Sequence, residues 1–216
     1  MATRHILSDL ARDYESQTGV RVEIRSMGGV EAAKSVRAGE ATDIVVLASK
    51  VMASLETEGY LVEGGTRDLA RSEIGVAVRA GSPLPGLVDE QAVKQAMLDA
   101  QKICYSTGPS GDHLKALCER WAVPRGRVLI APPGVPVATL VAQGDADLGI
   151  QQLSELIGQP GIEVIGPLPP EIQAVTMFSA GVSTGSAERE AANAFVGYLA
   201  SAEAQGAIRR YGMEPA

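Results

Sequence analysis

The sequence has few of the residues and patterns that mark several large classes of protein. Histidine and cysteine each occur only twice in 216 residues, and no grouping of His, Cys, Asp and Glu has the spacing of a metal site. The net charge of −7 gives no electrostatic reason to expect nucleic acid or an anionic membrane as a partner. No apolar run reaches the roughly 18 to 20 residues that cross a bilayer. We therefore predict no metal or other cofactor, no nucleic acid partner and no membrane insertion.

The chain also lacks the arrangements that identify several kinds of enzyme. It contains neither a Ser-His-Asp order nor a phosphate-loop lysine. Cys104 and Cys118 are predicted to be buried reduced thiols, although spacing alone leaves a disulfide open. The segment Met1–Leu7 has no apolar core of a signal peptide, which by itself predicts a cytoplasmic protein.

Glycine and hydroxyl residues concentrate in three short turns, each followed by a helix-like segment. The turns are Ser-Met-Gly-Gly at 26–29, Ser-Thr-Gly-Pro-Ser-Gly at 106–111 and Pro-Pro-Gly-Val-Pro at 132–136. The N-terminus of a helix leaves backbone N–H groups unpaired, and the helix dipole favours negative charge there. Three such turns predict several helix ends that together bind one small anion.

Strand-like and helix-like segments alternate along the chain, which predicts an α/β fold. We predict strands at 20–24, 44–48, 74–78, 102–105, 127–130, 147–150, 162–165 and 175–182. We predict helices at 30–38, 51–58, 90–98, 113–121, 137–143 and 153–157, through most of 187–211, and from Ile6 until Gly19 ends the first helix. The blocks 20–60 and 100–150 are similar in plan, which predicts two α/β lobes, with 74–78 and 175–182 as the crossings between them.

Several segments carry a resemblance to a known family. They are 10–15, 18–20, 28–29, 37–46, 134–136, 144–150 and 200–213. In these segments the chain resembles bacterial extracellular solute-binding proteins of the molybdate-binding type, over nearly its whole length. The resemblance implies a two-lobed, type II periplasmic-binding-protein-like fold, in which each lobe is a mostly parallel sheet flanked by helices and the ligand cleft lies between the lobes. The first lobe would comprise 1–73 and 174–216, and the second would comprise 74–173.

The start of the chain departs from the family pattern. Family members open with a strand that ends in small hydroxyl residues just before the first helix, and this chain begins after that point. The first lobe is therefore predicted to lack its first strand. If the N-terminus is truncated, a signal peptide would have been lost with it, the protein would be periplasmic, and an ABC permease would be its partner.

Other departures concern the ligand. Molybdate binders have a serine-rich segment where this chain has 27–29, and they often have a tyrosine where it has 151–152. The loss of those hydroxyls favours an organic di- or tricarboxylate, although a molybdate- or tungstate-binding component of an ABC transporter stays an alternative. A further alternative is an isomerase that performs a 1,3-proton transfer on an unsaturated tricarboxylate, because aconitate isomerase is similar to this family. A ligand-sensing domain of a regulator is disfavoured, since no DNA-binding segment is present.

The candidate ligand-binding residues share either a hydrogen-bonding group or a glycine that lets a ligand approach the backbone. They are Thr3, Arg4, Gly28, Gly29, Ser106, Thr107, Ser110, Gly111, Val135, Gln151 and Gln152. The resemblance places a ligand near the start of the first helix, where the Arg4 guanidinium could bind a carboxylate through two hydrogen bonds. Val135 offers a backbone N–H after two prolines. Ser110 or Asp112 could instead simply cap a helix.

Three further residues would carry proton transfer only if the protein is an isomerase. His113 follows the second turn, where a helix N-terminus would keep its imidazole neutral and able to act as a base. His5 lies at the start of the first helix. Glu31 lies in the first turn of its helix, where its charge could instead complement the helix dipole. A solvated surface position is the alternative for both histidines.

Overall fold

The computed structural model describes residues 2–216, and the chain divides into two compact units. The first unit ends at Ser72 and resumes over Thr176–Ala216, and the second unit comprises Glu73–Val175. Within the described residues, no helix is long and apolar enough to cross a membrane.

Helices and strands alternate through most of the chain. The helices are α1 (Arg4–Thr18), α2 (Gly29–Arg37), α3 (Ser49–Thr57), α4 (Glu90–Asp99), α5 (Pro109–Arg120), α6 (Val137–Gln143), α7 (Leu153–Leu156), α8 (Arg189–Leu199) and α9 (Gln205–Arg210). The strands are β1 (Ile44–Ala48), β2 (Arg67–Ser72), β3 (Ile74–Arg79), β4 (Ile103–Tyr105), β5 (Val128–Ile130), β6 (Leu148–Gln152), β7 (Ile162–Pro167), β8 (Thr176–Val182) and β9 (Glu214–Pro215). Short 3-10 helices are at Arg125–Arg127, Pro170–Ile172 and Ala202–Ala204.

Each unit contains one sheet flanked by helices, so the predicted α/β fold is confirmed. The first sheet has the order β1-β8-β2-β9, and the second has the order β5-β4-β6-β3-β7. The prediction that each sheet is mostly parallel is wrong. Every pair in the first sheet is antiparallel, and in the second sheet β4 runs parallel to β5 and β6 while β3 runs antiparallel to β6 and β7.

The strand directions follow from how the chain connects the strands. The parallel strands β4, β5 and β6 are joined in turn through α5 and α6, and such a helical crossover returns the chain in the same direction. Strand β3 is the first strand of its unit, and β8 enters the first unit after the whole second unit has been completed. Neither of these two strands has a helical crossover to its sheet neighbours, and both are inserted antiparallel.

The predicted strand at 20–24 is wrong. This segment forms no ladder with any strand of the described residues, and the Val22 N–H donates to the Glu15 side chain instead. Val22 and Ile24 are nevertheless half-buried against the core of the first unit. The alternation of apolar and charged residues therefore reports burial on one side, which an extended segment has whether or not it pairs.

The first helix forms as its apolar spacing predicts. The residues predicted to share one face are all buried: Ile6, Leu7, Leu10, Ala11 and Tyr14. Gly19 ends the helix at φ 73°, a left-handed conformation that costs glycine little, and its N–H donates to the Glu15 carbonyl. The centroid of the Tyr14 ring lies 5.0 Å from that of Phe195 and 5.1 Å from that of Tyr198. These ring contacts pack α1 against α8.

The second unit has its own core between its sheet and helices α4 and α5. Met97, Ile103 and Leu114 are fully buried in it. The Asp89 carboxylate caps α4 by accepting a hydrogen bond from the Ala92 N–H, as aspartate commonly does at this position. Strand β2 was not predicted, because its charged residues interrupt the alternation that marks a half-buried strand.

Both cysteines are buried free thiols of the second unit, as predicted. Burial raises the pKa of Cys104 and that of Cys118 to about 11. Each thiol therefore stays protonated near neutral pH and packs as a small apolar side chain.

Candidate functional site

Two parallel strands of the second unit end side by side, and a polar residue follows each apolar end. In the ladder of β4 and β6, Tyr105 lies opposite Ile150, so Ser106 and Gln151 are neighbours. The Gln151 Nε2 group donates to the Ser106 Oγ atom over 3.2 Å. Two residues that the sequence suggested separately are therefore brought together at one edge of the sheet.

Helix α5 begins directly beyond Ser106 and has an open N-terminus. The helix begins at Pro109, four residues before the predicted start, and a proline suits that first position. Gly108 precedes it at φ 110°, and no side chain caps the helix, so the capping alternative for Ser110 or Asp112 is wrong. The first helical bond runs from the Asp112 N–H to the Gly108 carbonyl. The backbone N–H groups of Ser110 and Gly111 therefore have no acceptor in the described part of the chain.

Gly111 is needed here because it packs against the chain itself. A Cβ atom at this position would lie 1.9 Å from the Ser106 carbonyl oxygen and 3.6 Å from the Tyr105 ring. The close approach predicted for Gly111 is thus an approach to the backbone of the turn. It fixes Ser106 against the start of α5.

Gln151 is only 3% exposed, and its amide group has two partners. Besides Ser106, the Nε2 group donates to the Glu155 Oε2 atom over 2.7 Å. The Oε1 atom is buried and has no hydrogen-bond partner in residues 2–216, although such atoms are almost always paired in native proteins. We call Ser106, Ser110, Gly111, Gln151 and Glu155 the Ser106–Gln151 site.

Glu155 was not predicted. Its carboxyl is half-buried in the short helix α7, four residues after Gln151, and burial raises its pKa. Its position four residues after Gln151 was the only signal in the sequence. It gave no reason to expect the carboxyl to turn back to the amide, because α7 has only a single turn.

Gln152 and Ser154 also contribute buried polar groups near the end of β6. Gln152 is 3% exposed and Ser154 is 2% exposed. Neither glutamine of the 151–152 pair therefore points to solvent. The Ser154 Oγ atom has no hydrogen-bond partner among the residues that the structure describes, and the sequence had not singled it out.

The backbone N–H of Val135 is not available to a ligand, which corrects the prediction for this residue. It donates to the Pro132 carbonyl over 3.0 Å and closes a tight turn. Gly134 occupies the third position of this turn at φ 78°, the position at which glycine is preferred when a proline precedes it. The third turn therefore uses its own donor to hold its shape.

Thr3, Arg4 and His5 all lie at the start of α1 in the first unit. Thr3 precedes the helix without capping it through its side chain, and the Arg4 carbonyl accepts a hydrogen bond from the Ser8 hydroxyl. The side chains of Arg4 and His5 are exposed. The His5 ring stacks on Tyr211 with 5.9 Å between ring centroids, a contact that packs α1 against the end of α9.

The first turn, at 26–29, leads into α2 as predicted, but it already has a carboxylate beside it. Gly28 is the residue before α2, and Glu31 lies in the first turn of this helix. The Glu31 Oε2 atom lies 3.5 Å from where a Gly28 Cβ would be. A carboxylate in this place complements the helix dipole, and it opposes a second anion at Gly28 and Gly29.

His113 is bound to the protein backbone. Its Nε2 atom lies 2.7 Å from the Ile172 carbonyl oxygen, and an oxygen acceptor requires that this nitrogen carry the proton. The bond ties α5 to the 3-10 helix at 170–172. The catalytic role suggested for His113 stays a prediction, and only the Nδ1 atom is left for it.

No group of three or more His, Cys, Asp or Glu side chains within residues 2–216 could hold a metal ion. The chemistry that the Ser106–Gln151 site offers is hydrogen bonding from two backbone N–H groups and a serine hydroxyl, acceptance by an amide oxygen, and proton exchange at one carboxyl. These groups suit a small anion that also carries hydrogen-bonding groups of its own.

Replacing Glu155 by glutamine is expected to stabilise the protein at neutral pH. Because burial raises the pKa of Glu155 above its ordinary value of 4.5, the folded protein keeps this proton to a higher pH than the unfolded chain does. The wild-type protein therefore loses stability as the pH rises through that interval, and Glu155→Gln removes the loss. Chemical denaturation of the wild type and the variant at several pH values between about 4 and about 8 measures the free energy of unfolding of each. The difference between the two proteins should grow with pH. A difference that stays constant with pH would contradict the prediction.

Comparison with known proteins identifies a family and a relative. A profile of the family described as bacterial extracellular solute-binding protein matches residues 1–214. The aconitate isomerase of a Pseudomonas species is 34% identical over 220 residues, which cover 97% of this chain and 83% of that relative.

Many solved structures have a similar fold. The periplasmic molybdate-binding protein of Azotobacter vinelandii has a TM-score of 0.78 and 24% identity, over 98% of this chain and 95% of that one. PEB3 bound to L-phospholactate has a TM-score of 0.73 and 18% identity, over 99% of this chain and 96% of that one. Identities of this size show a shared fold and leave the ligand open.

Proposed function

The chain belongs to the bacterial extracellular solute-binding proteins, and on this basis we propose that it binds an organic di- or tricarboxylate at the Ser106–Gln151 site. The observation that carries the proposal is the open N-terminus of α5, where the N–H groups of Ser110 and Gly111 have no acceptor in the described residues. Two adjacent N–H groups at a helix start can hold one carboxylate, and the helix dipole adds to the attraction.

The other side of the site favours an elongated organic acid over a compact oxyanion. Gln151 presents a buried acceptor, and the Glu155 carboxyl lies 2.7 Å from its amide nitrogen. A tetrahedral oxyanion such as molybdate would place acceptor oxygens in every direction, including against these acceptors. An organic acid separates its carboxylate from the rest of the molecule, so it can match donors on one side and acceptors on the other.

The relatives support organic anions and an oxyanion to different degrees. Aconitate, named in the relative at 34% identity, is a tricarboxylate, and L-phospholactate, named in the PEB3 structure, is also an organic acid. The molybdate-binding neighbour supports an oxyanion as the ligand, but its identity to this chain is lower. In an exported form of the protein, we propose an ABC permease as the partner that receives the ligand.

A second candidate function is isomerisation of an unsaturated tricarboxylate, and Glu155 is the observation that favours it. A carboxylate whose pKa is raised by burial is a stronger base than an ordinary one, so it can take a proton from one carbon and return it to another. In such a 1,3-transfer the C–H bond of one carbon breaks, the double bond moves by one position, and a C–H bond forms at the far carbon. The helix N-terminus would stabilise the negative charge that develops on the substrate carboxylate.

A binding screen tests both candidates. Thermal unfolding would be followed with molybdate, tungstate, sulfate, citrate, tricarballylate and the two aconitates, and each mixture would then be examined by NMR. A ligand that binds only the folded protein raises the Tm. Stabilisation by carboxylates with unchanged NMR signals supports the binding protein, and interconversion of cis- and trans-aconitate supports the isomerase. Stabilisation by oxyanions alone would overturn both.

Replacing Ser106 by alanine is expected to weaken carboxylate binding about tenfold, equivalent to about 1.4 kcal/mol. The substitution removes a hydroxyl beside the open helix end and one acceptor of the Gln151 amide. Isothermal titration with the carboxylate that gives the largest shift in Tm measures the change. Ser82→Ala, in the loop after β3, is the matched control and should leave the affinity within about twofold. An unchanged affinity in Ser106→Ala would place the ligand elsewhere.

A further inference from the structure

We propose that the ligand of the Ser106–Gln151 site is a hydroxy acid, whose hydroxyl group donates a hydrogen bond to the Gln151 Oε1 atom. This inference rests on the proposed function, because it takes the carboxylate of the same ligand to be bound at the start of α5. It identifies the second chemical group of the ligand, which Gln151 recognises.

The orientation of the Gln151 amide is fixed by its two partners. Its Nε2 group lies 2.7 Å from the Glu155 Oε2 atom and 3.2 Å from the Ser106 Oγ atom. The amide nitrogen is the donor in both contacts, and the Glu155 and Ser106 oxygens accept from it. The Oε1 atom is therefore held on the side away from Glu155.

In this orientation the site presents a buried acceptor without a donor. Gln151 is 3% exposed, and no group in residues 2–216 donates to Oε1. A buried acceptor that is left unsatisfied destabilises the unliganded site. A ligand hydroxyl removes this cost when it binds. A carboxylate or an oxyanion has only acceptors to offer and would increase it.

The two halves of the site thus require two different groups on one molecule. The N–H groups of Ser110 and Gly111 require an acceptor with negative charge, whereas Gln151 requires a donor. Ser106 lies between them, since it follows β4 directly, bonds to Gln151 and touches Gly111 through its carbonyl. A molecule that carries both a carboxylate and a hydroxyl matches this arrangement.

Sites that are built to bond a hydroxyl discriminate strongly against analogues that lack it, because the polar group of the protein then stays buried and unpaired. Citrate and tricarballylate differ by one hydroxyl and have the same three carboxylates. We expect citrate to bind at least about tenfold more tightly than tricarballylate to the wild-type protein, as measured by isothermal titration.

One substitution tests whether Gln151 is the residue responsible. Gln151→Met keeps the length of the side chain but removes the acceptor, so the ratio of the two affinities should fall to about one. Gln101→Met, at an exposed position before β4, is the matched control and should keep the wild-type ratio. Circular dichroism checks that each variant is folded.

The outcomes separate this inference from the proposed function. If citrate and tricarballylate bind the wild-type protein equally, the hydroxyl inference is wrong and carboxylate binding survives. If the preference for citrate persists in a folded Gln151→Met protein, the hydroxyl is recognised by another residue and the inference is again wrong. If molybdate binds and neither carboxylate does, the proposed function itself fails.

Discussion

Replacement of Gly111 by alanine is expected to lower the free energy of unfolding by about 3 kcal/mol and to abolish ligand binding. Overpacking a well-packed site costs about 1–3 kcal/mol and sometimes more. The added Cβ would lie 1.9 Å from the Ser106 carbonyl oxygen, which is a backbone atom that cannot rotate away as a side chain can. The clash can be removed only if the turn 106–108 or the start of α5 moves. Either movement would disrupt the Ser106–Gln151 site.

A second glycine-to-alanine substitution provides the control for Gly111→Ala. Gly197 lies inside helix α8, and a Cβ there would meet no atom within 4 Å. Alanine is a better helix former than glycine by about 0.8–1.0 kcal/mol, so Gly197→Ala should raise the stability. Urea denaturation of the two variants, followed by titration with citrate, measures both effects. A Gly111→Ala protein as stable as the wild type would show that the turn can yield.

Replacement of Gly149 by alanine is expected to cost about 2 kcal/mol of stability, within the usual range for overpacking. Gly149 lies in β6 under helix α6, and its Cβ would lie 2.6 Å from Val141 Cγ2 and 2.9 Å from Val137 Cγ1. Both valines are fully buried, so neither has free space to move into. Either β6 or α6 would have to shift, and β6 carries Gln151.

A double variant tests this explanation. Val141→Ala alone should also destabilise the protein, because it leaves a cavity in the core. When it is combined with Gly149→Ala, the new methyl group fills part of that space, so the double variant should lose less stability than the two single variants together. The free energies of unfolding from denaturant titrations give the interaction energy. Strict additivity would mean that Gly149→Ala acts through something other than contact with Val141.

The candidate site could be predicted in part because strand ends are visible in the sequence. The apolar runs that end at Tyr105 and Ile150 are short and buried, and the residues directly after them are polar. A helical crossover between strands keeps them parallel, so their carboxyl ends share one edge of the sheet. Ser106 was identified from the glycine- and hydroxyl-rich turn and Gln151 from its amide group and the family resemblance, and the structure brings them within hydrogen-bond distance.

The roles of other polar groups depend on contacts that no local pattern reports. Glu155 turns back to Gln151, Val135 uses its own N–H to close a turn, and Glu31 lies against Gly28. In each case the sequence shows that a polar group is present. Only the position of a partner decides whether that group is free to bind a ligand.

The same distinction applies to the whole fold. Periodicity and helix-ending glycines, as at Gly19, belong to the chain locally, so the sequence by itself determined most helices, most strands and the α/β class. Which strands pair, and in which direction, depends on residues far apart in the chain. Tertiary structure alone therefore made the first sheet antiparallel, left 20–24 unpaired and decided the orientation of the Gln151 amide. Each of these depends on a hydrogen-bond partner that another part of the chain supplies or withholds.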